Sequence, residues 1–135
     1  MNLYIYIPTK EIQESLFIQL IGKEIPQFQI EIFRSIEDLK ARLKQPRYIF
    51  TTAVIFAPDS QDVSDIISLE HFLRDVQIIL IISHDNHGTL SMAHYLRPRF
   101  IGYFSLFSKE INAREITSVL RKMLKHHLSL SYVAE

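Results

Sequence analysis

Two spacings of hydrophobic residues alternate along this chain of 135 residues. Short, uninterrupted apolar runs bounded by polar residues or proline are typical of strands buried in a parallel sheet. Between these runs, apolar residues recur every three or four positions, which predicts amphipathic helices. The predicted strands are Leu3–Ile7, Ile30–Phe33, Ala53–Phe56, Ile78–Ile82 and Phe100–Phe104.

A helical pattern follows each predicted strand. The first helix is expected to end before Pro26, because proline disfavours helical geometry in the residue before it. The last helix has the clearest apolar face, and the chain after Leu128 is expected to be a frayed or linker-like tail. The helical patterns cover Lys10–Ile25, Ile36–Leu43, Ile66–Leu73, Thr89–Leu96 and Ile116–Leu128.

Local signals predict where some of these elements begin and end. Ser35–Asp38 and Asn112–Glu115 have the sequence of a capping box, which predicts the starts of the second and fifth helices. By composition, Ala57–Ser60 and His84–Gly88 are expected to be loops.

Five strand–helix units in succession predict a three-layer α/β/α sandwich around a five-stranded parallel sheet. Right-handed crossovers with helices on both faces favour the strand order 2-1-3-4-5. The pattern fills residues 1–128, which we expect to form one domain, with residues 129–135 as a C-terminal tail or linker.

Composition narrows the classes of function. Fifteen basic residues balance fifteen acidic ones, so charge gives no reason to expect binding to nucleic acid or to an anionic membrane. Cysteine is absent, which excludes disulfides and thiolate metal sites. The longest apolar runs are too short to cross a bilayer, and the first residues do not resemble a signal peptide. We therefore expect a cytoplasmic protein.

The residues at the ends of two predicted strands suggest a family. Ser83 follows the fourth strand, and Tyr103 lies in the fifth. With five strand–helix units over nearly the whole chain, this pattern resembles the response-regulator receiver domain of two-component signalling, which has a flavodoxin-like (CheY-like) fold. That family has a hydroxyl residue and an aromatic residue at the matching positions.

The same resemblance implies that the phosphate pocket is degenerate. Receivers hold magnesium with an acidic pair after the first strand, where this chain has Pro8 and Thr9. Their phosphoacceptor aspartate ends the third strand, where this chain has Ala57, and Leu106 stands in place of their lysine. The pattern therefore resembles a pseudo-receiver. Asp59, two residues past the expected position, is the nearest carboxylate that could substitute.

The chemistry of phosphoryl transfer supports the interpretation that the pocket is degenerate. Magnesium prefers hard oxygen ligands, usually carboxylates, and an acyl phosphate cannot form without a nucleophilic carboxylate. We therefore expect no catalytic residues, no bound metal and no cofactor. An alternative metal site would use His84, His87 and His94 with Asp85 as ligands. Their spacing fits known sites only loosely, so we expect polar loop histidines.

A basic and aromatic cluster precedes and enters the last strand. It contains Tyr95, Arg97, Arg99 and Tyr103, and arginine and tyrosine are enriched at protein interfaces. In receivers, the face that includes the last strand and helix commonly carries docking and dimerisation. The resemblance thus implies a protein partner, either a signalling protein or a second copy held through the last helix and strand. The simpler alternative is a solvated loop whose aromatic residues pack inward.

The alternative hypothesis is a sensor domain. In that case the cleft at the carboxyl ends of the strands would bind a small ligand such as a nucleotide or flavin. Doubly wound folds bind ligands in that cleft, and Thr9, Ser60 and Ser83 would supply polar groups. The chain has no G-x-G-x-x-G motif, so a dinucleotide site of that type is not expected.

Overall fold

The computed structural model describes the backbone of residues 1–8, 15–46, 50–83, 87–104 and 113–134. Side chains are described for residues 1–8, 17–46, 50–83, 89–103 and 114–126. The strands are β1 (Asn2–Tyr6), β2 (Gln29–Phe33), β3 (Thr51–Ala57), β4 (Gln77–Ser83) and β5 (Phe100–Phe104). The helices are α1 (Ser15–Glu24), α2 (Ile36–Leu43), α3 (Ser60–Ile67), α4 (His87–Ala93) and α5 (Ala113–Ala134).

The five strands form one parallel sheet in the order β2-β1-β3-β4-β5. This confirms the predicted α/β/α sandwich and its strand order. The side chains of β1 and β3 are buried throughout, and those of β4 are buried after Gln77. These strands lie inside the sheet with helices on both faces, which explains their continuous apolar sequence. β2 and β5 form the two edges.

Side-chain alternation along the strands divides the core into two clusters. On one face, the sheet packs against α2, α3, α4 and the 3₁₀ turns Glu70–Leu73 and His94–Leu96. On the other face it packs against α1 and α5. The largest buried side chains of the second cluster include Phe17 and Phe56, whose rings meet edge to face at 6.2 Å.

The structure corrects four boundaries. β3 continues through Ala57, and α3 begins at Ser60, within the expected loop. α4 begins at His87, also within an expected loop. The backbone of α5 is helical to Ala134, although the sequence predicted a frayed tail after Leu128. Residues 129–134 contain no glycine or proline, so a helix that packing has already started can propagate through them.

Of the two predicted helix caps, one lies within the described residues and is confirmed. The Ser35 hydroxyl accepts a hydrogen bond from the Asp38 amide at 3.2 Å, so Ser35 is the N-cap of α2 as predicted. Asn112 lies outside the described residues. None of the helices in the described part of the chain combines the length and apolar content that crossing a bilayer requires.

Candidate functional site

The carboxyl ends of the central strands bring three of the predicted pocket positions together. β1 and β3 pair with Tyr6 opposite Ile55, and continuing that register by two residues puts Pro8 level with Ala57. β3 and β4 pair with Ala57 opposite Ile82, so Ser83 comes one residue later at the same edge. Thr9 and Leu106 lie outside the described residues.

Ala57 is sealed within the core. Its side chain is 0% exposed and belongs to the apolar cluster that also contains Val63 and Ile82. A carboxylate at this position would lie among apolar side chains, where a charge without a partner is costly. The pocket residue on β3 is therefore a packed methyl group.

Ser83 and Pro8 offer little to a cation. Ser83 is buried, and alternation from Ile81 places it on the face covered by α1 and α5, opposite to the face of Ala57. Pro8 has no side-chain oxygen and is half-buried. Magnesium prefers carboxylate ligands, and none of these three side chains provides one.

Asp59 has a structural task at the start of α3. Its Oδ1 accepts a hydrogen bond from the Asp62 amide at 2.9 Å, and its own amide donates to Asp62 Oδ2 at 3.3 Å. The two residues form a capping box, which satisfies amides that a helix end otherwise leaves unpaired. This box was not predicted from the sequence, although its signal is present as two acidic residues three positions apart.

Acidic residues of α2 and α3 surround the last residue of β1. Burial, together with the charges of Asp62, Asp65 and Glu37, raises the pKa of the Tyr6 phenol to about 12. Burial and the neighbouring carboxylate of Asp59 raise the pKa of Asp62 to about 6. Within the described residues, no three acidic or histidine side chains are grouped closely enough to hold a metal ion.

The histidine hypothesis can be followed only in part. His84 and Asp85 lie outside the described residues, and His87 is described only as the first residue of α4. His94 is exposed in the 3₁₀ turn after α4.

The structure separates the basic and aromatic cluster into two places. Tyr95 is 70% exposed, and it lines a hollow of about 510 Å³ with Arg97, Glu70 and Arg74. Arg97 has a left-handed backbone, with φ of 49°, which turns the chain sharply between Tyr95 and the last strand. Tyr103, 40% exposed, lies on the edge strand β5.

Arg99 belongs to a different surface. It lines a second cavity, of about 410 Å³, with residues of α5 and the starts of β3 and β4. The sequence predicted one cluster for Arg97 and Arg99 because they are two residues apart, and it gave no prediction of this cavity.

Comparison with solved structures supports the fold assignment. The signal receiver domain of an HD domain-containing protein from Pseudomonas fluorescens superimposes with a TM-score of 0.63 at 13% identity, covering 95% of this chain and 97% of that one. A CpaE2 pilus assembly protein from Sinorhizobium meliloti gives 0.62 at 9% identity, covering 90% and 98%. The signal receiver domain of the response regulator NarL from Mycobacterium tuberculosis gives 0.52 at 13% identity, covering 92% and 95%.

No protein-family model matches the chain, and no curated protein matches it. At these identities the structural likeness concerns the fold. The chain therefore has the CheY-like fold of response-regulator receiver domains.

Proposed function

We propose that this chain is a pseudo-receiver: a non-catalytic signalling module that acts through protein–protein contact and does not accept a phosphoryl group. The receiver fold supports the signalling role. The observation that carries the rest of the proposal is the buried methyl group of Ala57 at the end of β3, where a receiver needs its phosphoacceptor.

The state of Asp59 adds to this argument. Its carboxylate already accepts a hydrogen bond from the Asp62 amide at the start of α3, so attack on a phosphoryl donor would require it to leave the capping box. Losing a cap of this kind costs about 1 kcal/mol. Phosphoryl transfer also needs positive charge to neutralise the transferring oxygens, and Pro8 and Ser83 offer no carboxylate to bind the metal.

Incubation with acetyl phosphate and magnesium, followed by intact-mass measurement, tests the proposal. A receiver domain with a complete acidic pocket serves as the positive control. We expect that control to gain one phosphoryl group and this chain to gain none. A stoichiometric adduct that disappears in Asp59→Asn would contradict the proposal and identify Asp59 as the acceptor.

For the partner surface, we propose the exposed residues Tyr95 and Arg97 before β5 together with Tyr103 on β5, with a second copy of the chain as the partner. Two exposed tyrosines and an exposed arginine support this choice, because these residue types contribute strongly to binding at interfaces. A net charge of zero supports self-association too, since two copies repel each other little.

A further inference from the structure

A cavity of about 410 Å³ lies at the amino-terminal edge of the sheet, beside the middle of α5. This edge is opposite to the strand-end cleft in which the alternative, ligand-sensing hypothesis places a small molecule. The volume falls within the range of about 300–1,000 Å³ that is common for small-molecule sites. The lining residues are Phe50, Gln77, Arg99, Val119, Lys122, Met123 and His126.

The fold assembles this cavity from four segments. Phe50 precedes β3, Gln77 begins β4 and Arg99 precedes β5, so the three meet where adjacent strands begin. The α5 residues of the lining follow the spacing i, i+3, i+4, i+7, which places them on one side of the helix. These residues are Val119, Lys122, Met123 and His126.

The floor of the cavity is apolar. Phe50, Val119 and Met123 are partly buried and pack against the core cluster beneath α1 and α5. The part of their surface that the core leaves uncovered lines the cavity. Covering it with an apolar ring would remove hydrocarbon from water, which is favourable by roughly 25 cal/mol per Å².

The rim of the cavity is basic. Arg99, Lys122 and His126 line it, and no acidic residue is among the lining side chains in the described part of the chain. The described residues also provide no ion pair for Lys122 or His126. A small anion would therefore meet cationic donors that no carboxylate of the described residues neutralises.

Arg99 is held in position for such a contact. Its Nε donates to Gln77 Oε1 at 2.6 Å, and its backbone amide donates to the Ile78 carbonyl at 2.8 Å. These bonds orient the guanidinium group and leave its two terminal nitrogens for another acceptor. Hydrogen bonds from a guanidinium to a carboxylate, sulfonate or phosphate are among the stronger ones in proteins.

We infer that this cavity is a binding site for a small organic anion that joins an apolar ring to a carboxylate, sulfonate or phosphate group. The ring packs on Phe50, Val119 and Met123, and the anionic group contacts Arg99 and Lys122. The site does not depend on the proposed pseudo-receiver function, because it shares no residue with the strand-end pocket.

Fluorescence titration with 1-anilinonaphthalene-8-sulfonate, an aromatic anion, tests this inference on the full chain. N-phenyl-1-naphthylamine, its neutral counterpart, serves as the matched ligand. We expect saturable one-to-one binding of the anion and binding of the neutral compound that is weaker by about tenfold or more, because only the anion forms charge-assisted hydrogen bonds.

Two double variants locate the binding. Arg99→Gln with Lys122→Gln removes two charges from the rim and is expected to raise the Kd of the anion about tenfold or more. Arg114→Gln with Lys40→Gln removes two exposed charges outside the cavity, one on α5 and one on α2 at the opposite face of the sheet, and should change the Kd by less than about twofold, because distant surface charges are screened. Circular-dichroism melts establish that both variants are folded.

Three results would overturn the inference. They are an absence of saturable binding, equal affinity for the neutral compound, and an equal loss of affinity in the two double variants. The last of these would show that the anion responds to overall charge and not to this cavity.

Discussion

The side chain of Asp62 has two opposing effects on the stability of the protein. Its carboxylate accepts the Asp59 amide and so completes the cap of α3. The same carboxylate is partly buried and lies near the charges of Asp59 and Asp65, which raises its pKa to about 6. The hydrogen bond needs an oxygen atom at this position, but it does not need a negative charge.

We therefore predict that Asp62→Asn stabilises the protein at pH 7.5. The folded-state pKa lies above the unfolded value of 3.8, so the folded state holds the proton more tightly. The stability that this tighter proton binding contributes is present below about pH 4 and is lost as the pH rises through about 6. Asparagine keeps the acceptor oxygen and removes the repulsion. Because the carboxyl is only partly buried, we expect a Tm increase of about 1–3 °C.

Thermal melts at pH 7.5 and pH 4 measure this effect, and the gain should shrink at the lower pH. Asp38→Asn is the matched control, because Asp38 is an exposed acid in the first turn of α2. There the helix dipole favours the negative charge, so this variant should lower the Tm slightly. A gain in both variants would show that the general loss of charge, and not the environment of Asp62, is responsible.

At the scale of elements, two glycines show how context decides the effect of a methyl group. Gly22 is exposed in α1, and a Cβ built there meets nothing within 4 Å. Gly102 is buried in β5, where a Cβ would lie 2.9 Å from Ile81 Cδ1 and 3.2 Å from the Phe100 ring. The side chains of Ile81 and Phe100 occupy the space beside residue 102 because glycine has no Cβ there.

We predict opposite effects for the two alanine substitutions. Gly22→Ala should raise the free energy of unfolding by about 0.5–1 kcal/mol, because alanine restricts the unfolded chain and favours the helix. Gly102→Ala should lower it by about 1 kcal/mol, because the new methyl group must displace Ile81 and Phe100. Urea unfolding with a shared m-value measures both. A stabilised Gly102→Ala would mean that the neighbouring side chains yield without cost.

At the scale of the whole molecule, the two edge strands expose comparable apolar side chains in different surroundings. Ile32 on β2 is 41% exposed and Tyr103 on β5 is 40% exposed. Among the described residues, the segment that leads into β5 adds a second exposed aromatic residue, Tyr95, and an exposed Arg97. This difference is why we assign self-association to the β5 edge.

We predict that the chain forms a dimer through this edge. Size-exclusion chromatography with light scattering should give a mass that rises with concentration from the 15.9 kDa of one chain towards twice that value. Tyr95→Ala with Tyr103→Ala should return the monomer, because truncating aromatic residues that a dimer interface buries removes much of the binding energy. Ile32→Ala, on the other edge, should leave the dimer intact. A wild-type protein that stays monomeric at all concentrations would exclude a second copy as the partner.

The fold was largely predictable because its signals are local and repeated. The run from Ile78 to Ile82 predicted a central strand, and handedness rules then favoured one strand order. The sequence also determined that the position after Phe56 carries a methyl group and no carboxylate. The segment after Leu128 was predicted wrongly as a frayed tail, because its weak pattern did not show that an established helix would continue into it.

Only the tertiary structure decided what depends on neighbours that are distant along the chain. It placed Arg97 and Arg99 on different surfaces, and it brought Arg99 beside α5 residues that are twenty or more positions away along the chain. It also raised the pKa of Tyr6 by burying the phenol and by bringing acids of two separate helices near it. A hydrophobic pattern specifies which face of an element is buried, whereas cavities and electrostatic fields arise from how several elements meet.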